Sequence, residues 1–140
     1  MHTLAFAILI SHLLMPPGKE PLLPSSDAID IARAVIREWR HQEPKDPRMF
    51  FDIVDPAVAK MPGYVVVNYY VGEKPVMGIE INVWTGQVVD KDRCIYFRSA
   101  SILSFEKQVR DLTHLKQIPW DKLAEQIGCD KLVPAGEWQK

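Results

Sequence analysis

Residues 63–89, GYVVVNYYVGEKPVMGIEINVWTGQVV, decide the fold of this chain. Their first part, 63–71, is dense in β-branched and aromatic residues, and residues 76–84 alternate apolar and polar side chains, as strands do. Glycine-containing segments separate the extended stretches, and the pair Thr85-Gly86 has the composition of a turn. Because these connections are too short for a parallel crossover, the stretch predicts an antiparallel meander.

Further extended segments lie on both sides of this stretch. Residues 49–54 precede it and end at Asp55-Pro56, whereas residues 87–89 and 94–98 follow it. We therefore predict a curved antiparallel sheet whose last strand is 94–98.

Helical periodicity stands before and after the predicted sheet. Ser25, Ser26 and Asp27 can cap a helix, because their side chains accept hydrogen bonds from the free N–H groups of a first turn. A one-sided apolar stripe follows, made of Ala28, Ile31, Ala32, Val35, Ile36 and Trp39. A second stripe comprises Ile102, Phe105, Val109 and Leu112, and a shorter helix begins at Pro119 and ends at Gly128. The predicted class is α+β: an N-terminal helix packed on a curved antiparallel sheet, with C-terminal helices.

Composition describes an ordinary globular domain without a strong overall charge. The chain has 140 residues, of which 47% are hydrophobic and 25% charged, and its formal net charge is −1. We assign residues 25–140 to a single domain. Because Lys and Arg are scattered and form no basic block, we expect no nucleic-acid partner.

The first residues differ from the rest. Residues 1–15 contain an apolar run from Leu4 to Met15, which has the length of a signal-peptide core and is too short to span a bilayer comfortably. No Lys or Arg precedes the run, and no small-x-small cleavage site follows it. One interpretation is that residues 1–15 are a leader, which a Pro-rich linker at 16–24 connects to the domain. The protein would then be periplasmic or secreted, and it would have no stable membrane span after removal of the leader. The other is a buried N-terminal helix of a cytoplasmic protein.

The sequence carries no catalytic motif. None of the four histidines has a metal-binding spacing, and neither a Gly-x-Ser-x-Gly elbow nor a phosphate-binding loop is present. We therefore predict a non-enzymatic protein with no cofactor and no metal. A small enzyme or ligand-binding domain, assembled from distant residues inside the concave sheet, is the alternative.

Cys94 and Cys129 are the only cysteines. In an exported domain two cysteines usually pair, and the bond would join the last predicted strand to the C-terminal helix. The alternative is a pair of buried thiols.

One face of the predicted central strands combines aromatic and polar groups. Glu80, Asn82 and Trp84 alternate on one strand, and Tyr70 lies on its neighbour. If the helices cover only the opposite face, these four residues form an exposed surface with the composition of protein interfaces. We take Tyr70, Glu80, Asn82 and Trp84 as the candidate partner-binding residues. The alternative is a solvated sheet face with Trp84 packed at its edge.

Two stretches carry a family resemblance: residues 28–32, AIDIA, and residues 77–88, MGIEINVWTGQV. They resemble bacterial immunity proteins of the nuclear-transport-factor-like (cystatin-like) fold. That resemblance implies a protein that binds and neutralises a cognate toxin.

The strand, Thr-Gly turn and strand also resemble PepSY domains, which implies a protein that binds or restrains a protease. Either resemblance covers roughly residues 26–98. The helices after Ser99 exceed a minimal PepSY unit, which favours the immunity proteins. The resemblance carries no individual functional residue over to this chain, and the expected partner is a protein, a toxin or a protease.

Overall fold

The computed structural model describes residues 23–40 and 46–138. The predicted leader, 1–15, lies outside these residues, as does the predicted linker, 16–24, except for Leu23 and Pro24. Within the described ranges, no helix combines the length and the apolar character needed to cross a membrane.

The N-terminal helix, α1, spans Ser25–Arg40. Its first turn is held by the carbonyl of Pro24, which accepts from the N–H groups of Asp27 at 3.1 Å and Ala28 at 3.0 Å. The predicted apolar stripe faces inward: five of its six residues, Ala28, Ile31, Ala32, Val35 and Ile36, are buried, and the sixth, Trp39, is partly buried against the core. Periodicity in the sequence thus identified both the helix and its inner face.

The described residues form a six-stranded sheet with four further helices or helical turns. In chain order these elements are β1 Met49–Ile53, α2 Pro56–Ala59, β2 Tyr64–Val71, β3 Lys74–Asn82, β4 Val88–Asp90, β5 Ile95–Tyr96, α3 Ala100–Thr113, α4 Trp120–Ile127, β6 Val133–Pro134 and a 3-10 turn at Ala135–Glu137. The strands lie in the order β1-β2-β3-β4-β5-β6, and every pair is antiparallel except β5 and β6. The predicted α+β class is confirmed.

The expectation that residues 94–98 form the last strand is wrong. β5 covers only Ile95–Tyr96, and β6, at Val133–Pro134, pairs with it in parallel. A strand of two residues, one of them proline, shows no alternation that a sequence pattern could reveal. The parallel pairing depends instead on chain closure after α4, where Val133 N–H donates to the Cys94 carbonyl at 3.3 Å.

Two hydrophobic clusters lie on opposite faces of the sheet. The larger one joins α1 and α3 to one face and includes Val67, Ile79, Ile81, Val88, Phe97 and Phe105. The smaller one joins α4 to part of the other face and contains Val89, Leu123, Ala124, Cys129 and Leu132. The sheet is therefore covered on both sides near β4 and β5.

Cys94 and Cys129 form a disulfide with a Cα–Cα distance of 5.8 Å. Cys94 directly precedes β5. Cys129 follows Gly128, which caps the C-terminal end of α4 with φ +83°. The bond therefore fixes α4 and its cluster against the sheet.

Candidate functional site

Asn82 shapes the turn between β3 and β4. Its side-chain oxygen accepts from the N–H groups of Trp84 at 2.9 Å and Thr85 at 3.0 Å. Its backbone N–H donates to the Gln87 carbonyl at 2.8 Å, and its carbonyl accepts from Gly86 N–H at 2.8 Å. Asparagine suits this position because its short side chain can satisfy the backbone of a following turn.

The turn rests directly on α3. Gly86 has φ +78°, and a Cβ atom built there would lie 2.7 Å from the Cα of Glu106. Thr113, at the end of α3, donates its hydroxyl to the Trp84 carbonyl at 2.9 Å. Glycine is needed at position 86 for two reasons, backbone conformation and close approach. The position of Trp84 is consequently fixed by the helix behind it.

Gln87 holds the loop between α3 and α4. Its side chain is fully buried, and its amide group donates to the Ile118 carbonyl at 2.9 Å and accepts from the Ile118 N–H at 3.0 Å. This two-bond clamp and the Thr113 contact anchor both ends of residues 114–118. Leu115, between them, is 44% exposed.

An open groove of about 820 Å³ lies between this loop and the β3–β4 turn; we name it the Trp84 groove. It is lined by Pro62, Gly63, Tyr64, Asn82, Trp84, Thr85, Leu115, Lys116, Ile118 and Gln126. Trp84 is half-buried, since its indole packs on Gly63, where a Cβ would lie 3.4 Å from Cδ1. Burial raises the pKa of the Tyr64 hydroxyl. Lys116 is the single charged residue among the described residues that line the groove.

The expected exposure of Glu80 and Asn82 is wrong. The two side chains are 2% and 5% exposed. The second cluster, built on α4 and the disulfide, covers the half of the sheet face from which they project. Asn82 therefore builds the turn under the groove, and Glu80 lies in the interior.

Tyr70 lies at the other end of the sheet. In the register of β2 and β3, Tyr64 is opposite Asn82, whereas Tyr70 is opposite Pro75. Six residues of extended chain separate the two tyrosines by about 20 Å. Tyr70 stacks instead on Phe50 of β1, with ring centroids 4.8 Å apart. The structure thus brings Trp84 and Asn82 together but places Tyr70 elsewhere, and a partner-binding role for Trp84 and Tyr70 stays a prediction.

Two buried glutamates carry strongly shifted proton affinities. Burial raises the pKa of Glu80 to about 7, although the Lys91 N–H donates to its carboxylate at 2.7 Å. Burial likewise raises the pKa of Glu106 to about 7, opposed by Arg110, whose guanidinium donates at 3.1 Å. Neither carboxyl lines the Trp84 groove.

The described residues contain no group of three His, Cys, Asp or Glu side chains placed to hold a metal ion. Of the ten residues that line the groove, only Asn82 and Trp84 were predicted as binding residues; the other eight are Pro62, Gly63, Tyr64, Thr85, Leu115, Lys116, Ile118 and Gln126. The sequence offered one signal: apolar Leu115 and Ile118 stand in a short segment between two helical stripes, outside either apolar face.

No protein-family model matches the chain, and no curated protein matches it. A solved structure does share its fold: a chain of a type VI secretion system effector–immunity complex from Pseudomonas protegens, with a TM-score of 0.63 and 16% sequence identity. The similarity covers 76% of this chain and 90% of that one. At this identity the likeness concerns the fold. The finer assignment to the cystatin-like fold and the PepSY resemblance both stay predictions.

Proposed function

We propose that this chain is an immunity-type protein that neutralises a cognate toxin by binding it, without catalysis, through the Trp84 groove. The observation that carries the proposal is the groove itself, which presents half-buried Trp84 beside exposed Leu115 on a rigidly held loop. Large aromatic and aliphatic side chains at the centre of an interface account for most of its binding free energy.

The anchoring of the groove supports a binding role. The loop is held by the Gln87–Ile118 clamp, and the turn is held by the Thr113–Trp84 bond. The backbone on both sides of the groove is therefore already ordered before a partner binds. A surface that is ordered before binding loses less entropy when a partner docks. Lys116 at the rim suits a partner that places an acidic side chain beside an apolar one.

The shared fold is a second observation that supports the proposal. The related structure is an effector–immunity complex, so its chains are the two members of such a pair. We assign the immunity role to this chain, because the sequence carries no catalytic motif and resembles immunity proteins at residues 28–32 and 77–88.

We further propose that the protein acts in an oxidising compartment, as a periplasmic or secreted protein. The Cys94–Cys129 disulfide supports this part, because disulfides persist mainly in such compartments.

Co-expression tests the role directly. The candidate toxin is the polypeptide encoded by the gene adjacent to that of this chain. Expressed with it in the same compartment, this chain should restore growth, and expressed alone it should leave growth unchanged. Growth arrest by this chain alone would identify it as the effector member and contradict the proposal. Failure of rescue, with both proteins folded and present, would reject that pair.

A further inference from the structure

β1 forms one outer edge of the sheet, and the backbone groups of three of its five residues point away from β2. Gly72 N–H donates to the Arg48 carbonyl, and Val54 N–H donates to the Val66 carbonyl, each at 2.9 Å. Antiparallel ladders alternate, so the N–H and C=O groups of Met49, Phe51 and Ile53 face outward. Among the described residues only one of these groups has a partner, the Met49 N–H, which donates to the Asp46 carbonyl at 2.9 Å.

The two edges of the sheet differ in how they discourage strand pairing. β6 is two residues long and contains Pro134, which has no N–H to donate. β1 is five residues long, MFFDI, with no proline, no lysine and no register shift against β2. Pairing with a further strand is therefore blocked at β6 and permitted at β1.

An exposed aromatic side chain stands beside this open edge. Phe50 is 47% exposed and stacks on Tyr70 with an interplanar angle of 10°. Large apolar side chains exposed next to unpaired backbone groups favour the addition of another strand.

The chemistry of β1 fits a second copy of itself. In an antiparallel pairing centred on Phe50, the two Phe50 side chains oppose one another and Met49 lies opposite Phe51 of the partner subunit. Arg48, whose guanidinium also forms an ion pair with Asp46 at 2.8 Å, then lies opposite Asp52 of the partner subunit at both ends of the pairing. A pairing centred on Phe51 is less favourable, because it would place Phe50 opposite the carboxylate of Asp52 of the partner subunit.

The hydrogen-bond pattern agrees with this register. Centred on Phe50, the outward Phe51 N–H lies opposite the outward Met49 carbonyl of the partner subunit and can donate to it, whereas the Met49 N–H stays bound to the Asp46 carbonyl. We infer that two copies of this chain dimerise by antiparallel pairing of their β1 strands in this register, which continues the sheet across both subunits. The Trp84 groove is lined by no residue of β1 and stays open in such a dimer.

Oxidative cross-linking of the purified full chain tests the register. In the pairing centred on Phe50, the two Cα atoms of that residue lie about 4.5 Å apart, within reach of a disulfide. The variant Phe50→Cys should therefore form covalent dimers. The matched variant Asp52→Cys should not, because its two copies lie about 13 Å apart along the strands. Equal cross-linking of the two variants would overturn the inference.

Light scattering or sedimentation of the unmodified protein supplies the second readout. We expect a concentration-dependent dimer whose dissociation constant rises at least tenfold in Phe50→Lys, because the change places two ammonium groups opposite each other. An unchanged melting temperature would show that this variant is folded, since Phe50 is half exposed. A wild-type protein that stays monomeric at its highest soluble concentration would refute the dimer. No toxin is involved, so this test is independent of the proposed function.

Discussion

The buried Gln87 side chain holds Ile118, thirty-one positions further along the chain, by donating to its carbonyl and accepting from its N–H. This pair connects the sheet to the loop that carries Leu115. Since α3 and α4 leave from the two ends of that loop, the clamp links the core to the candidate binding surface.

Replacing Gln87 should destabilise the protein. Gln87→Leu keeps the approximate volume but removes the partners of two backbone groups, which should lower the free energy of unfolding by about 1–3 kcal/mol. Gln126→Leu is the matched control, because Gln126 is exposed and lines the same groove. Its effect should stay below about 0.5 kcal/mol in urea denaturation. Equal losses for the two variants would contradict the clamp.

Alanine substitutions at two glycines distinguish the cost of close packing from the cost of an unfavourable backbone conformation. Both Gly86 and Gly72 have positive φ, +78° and +62°, but a Cβ at Gly72 meets nothing within 4 Å, whereas one at Gly86 lies 2.7 Å from the Glu106 Cα. Gly72→Ala should lower the free energy of unfolding by about 1–2 kcal/mol. Gly86→Ala should lower it by at least about 3 kcal/mol, because overpacking adds to the strain. Similar losses, measured by denaturation, would show that the turn does not rest on α3.

The buried glutamates predict a pH dependence of stability. A carboxyl whose folded pKa is raised from 4.5 to about 7 binds its proton more tightly in the folded state. Its stabilising contribution is therefore complete below pH 4.5 and is lost as the pH rises through 7. Each carboxyl should account for a loss of about 2–3 kcal/mol between pH 5 and pH 8.

Glutamine variants isolate the two groups. Glu80→Gln should match the wild type at pH 5, exceed its free energy of unfolding at pH 8, and reduce the slope between these values by about half. The double variant with Glu106→Gln should flatten the slope further. Asp46 and Asp111, whose pKa values are lowered, affect stability only below this range. A slope that both variants leave unchanged would exclude these glutamates as its source.

The disulfide should stabilise α4 more than the rest of the protein. The bond closes a loop with a sequence separation of 35, and its removal in a Cys94→Ala/Cys129→Ala variant should cost about 3–4 kcal/mol. α4 carries Trp120, which stacks on Tyr96 with ring centroids 3.9 Å apart. On mild heating of the variant, amide hydrogen exchange in α4 should rise before the far-ultraviolet circular dichroism changes. Coincident transitions would show that α4 is held without the bond.

Local periodicity was enough to predict α1, the β2–β3 pair and the α+β class. It was not enough to place α4, because the apolar side of a short helix fits either face of a sheet. The disulfide and the chain path select the face that covers Glu80 and Asn82. β6 and the loop at Leu115 were missed for a related reason, since both are held by contacts with residues far away in the chain, Cys94 and Gln87.

The affinity of the cognate toxin for two matched leucine variants tests the central claim most directly. Leu115, in the Trp84 groove, is 44% exposed, and Leu103, on α3 outside the groove, is 49% exposed. Both variants, Leu115→Glu and Leu103→Glu, should fold with wild-type melting temperatures. Calorimetric titration should show binding weakened at least thirtyfold by Leu115→Glu, equivalent to about 2 kcal/mol, and unchanged by Leu103→Glu. Wild-type affinity in Leu115→Glu would contradict the assignment of the groove as the toxin-binding surface.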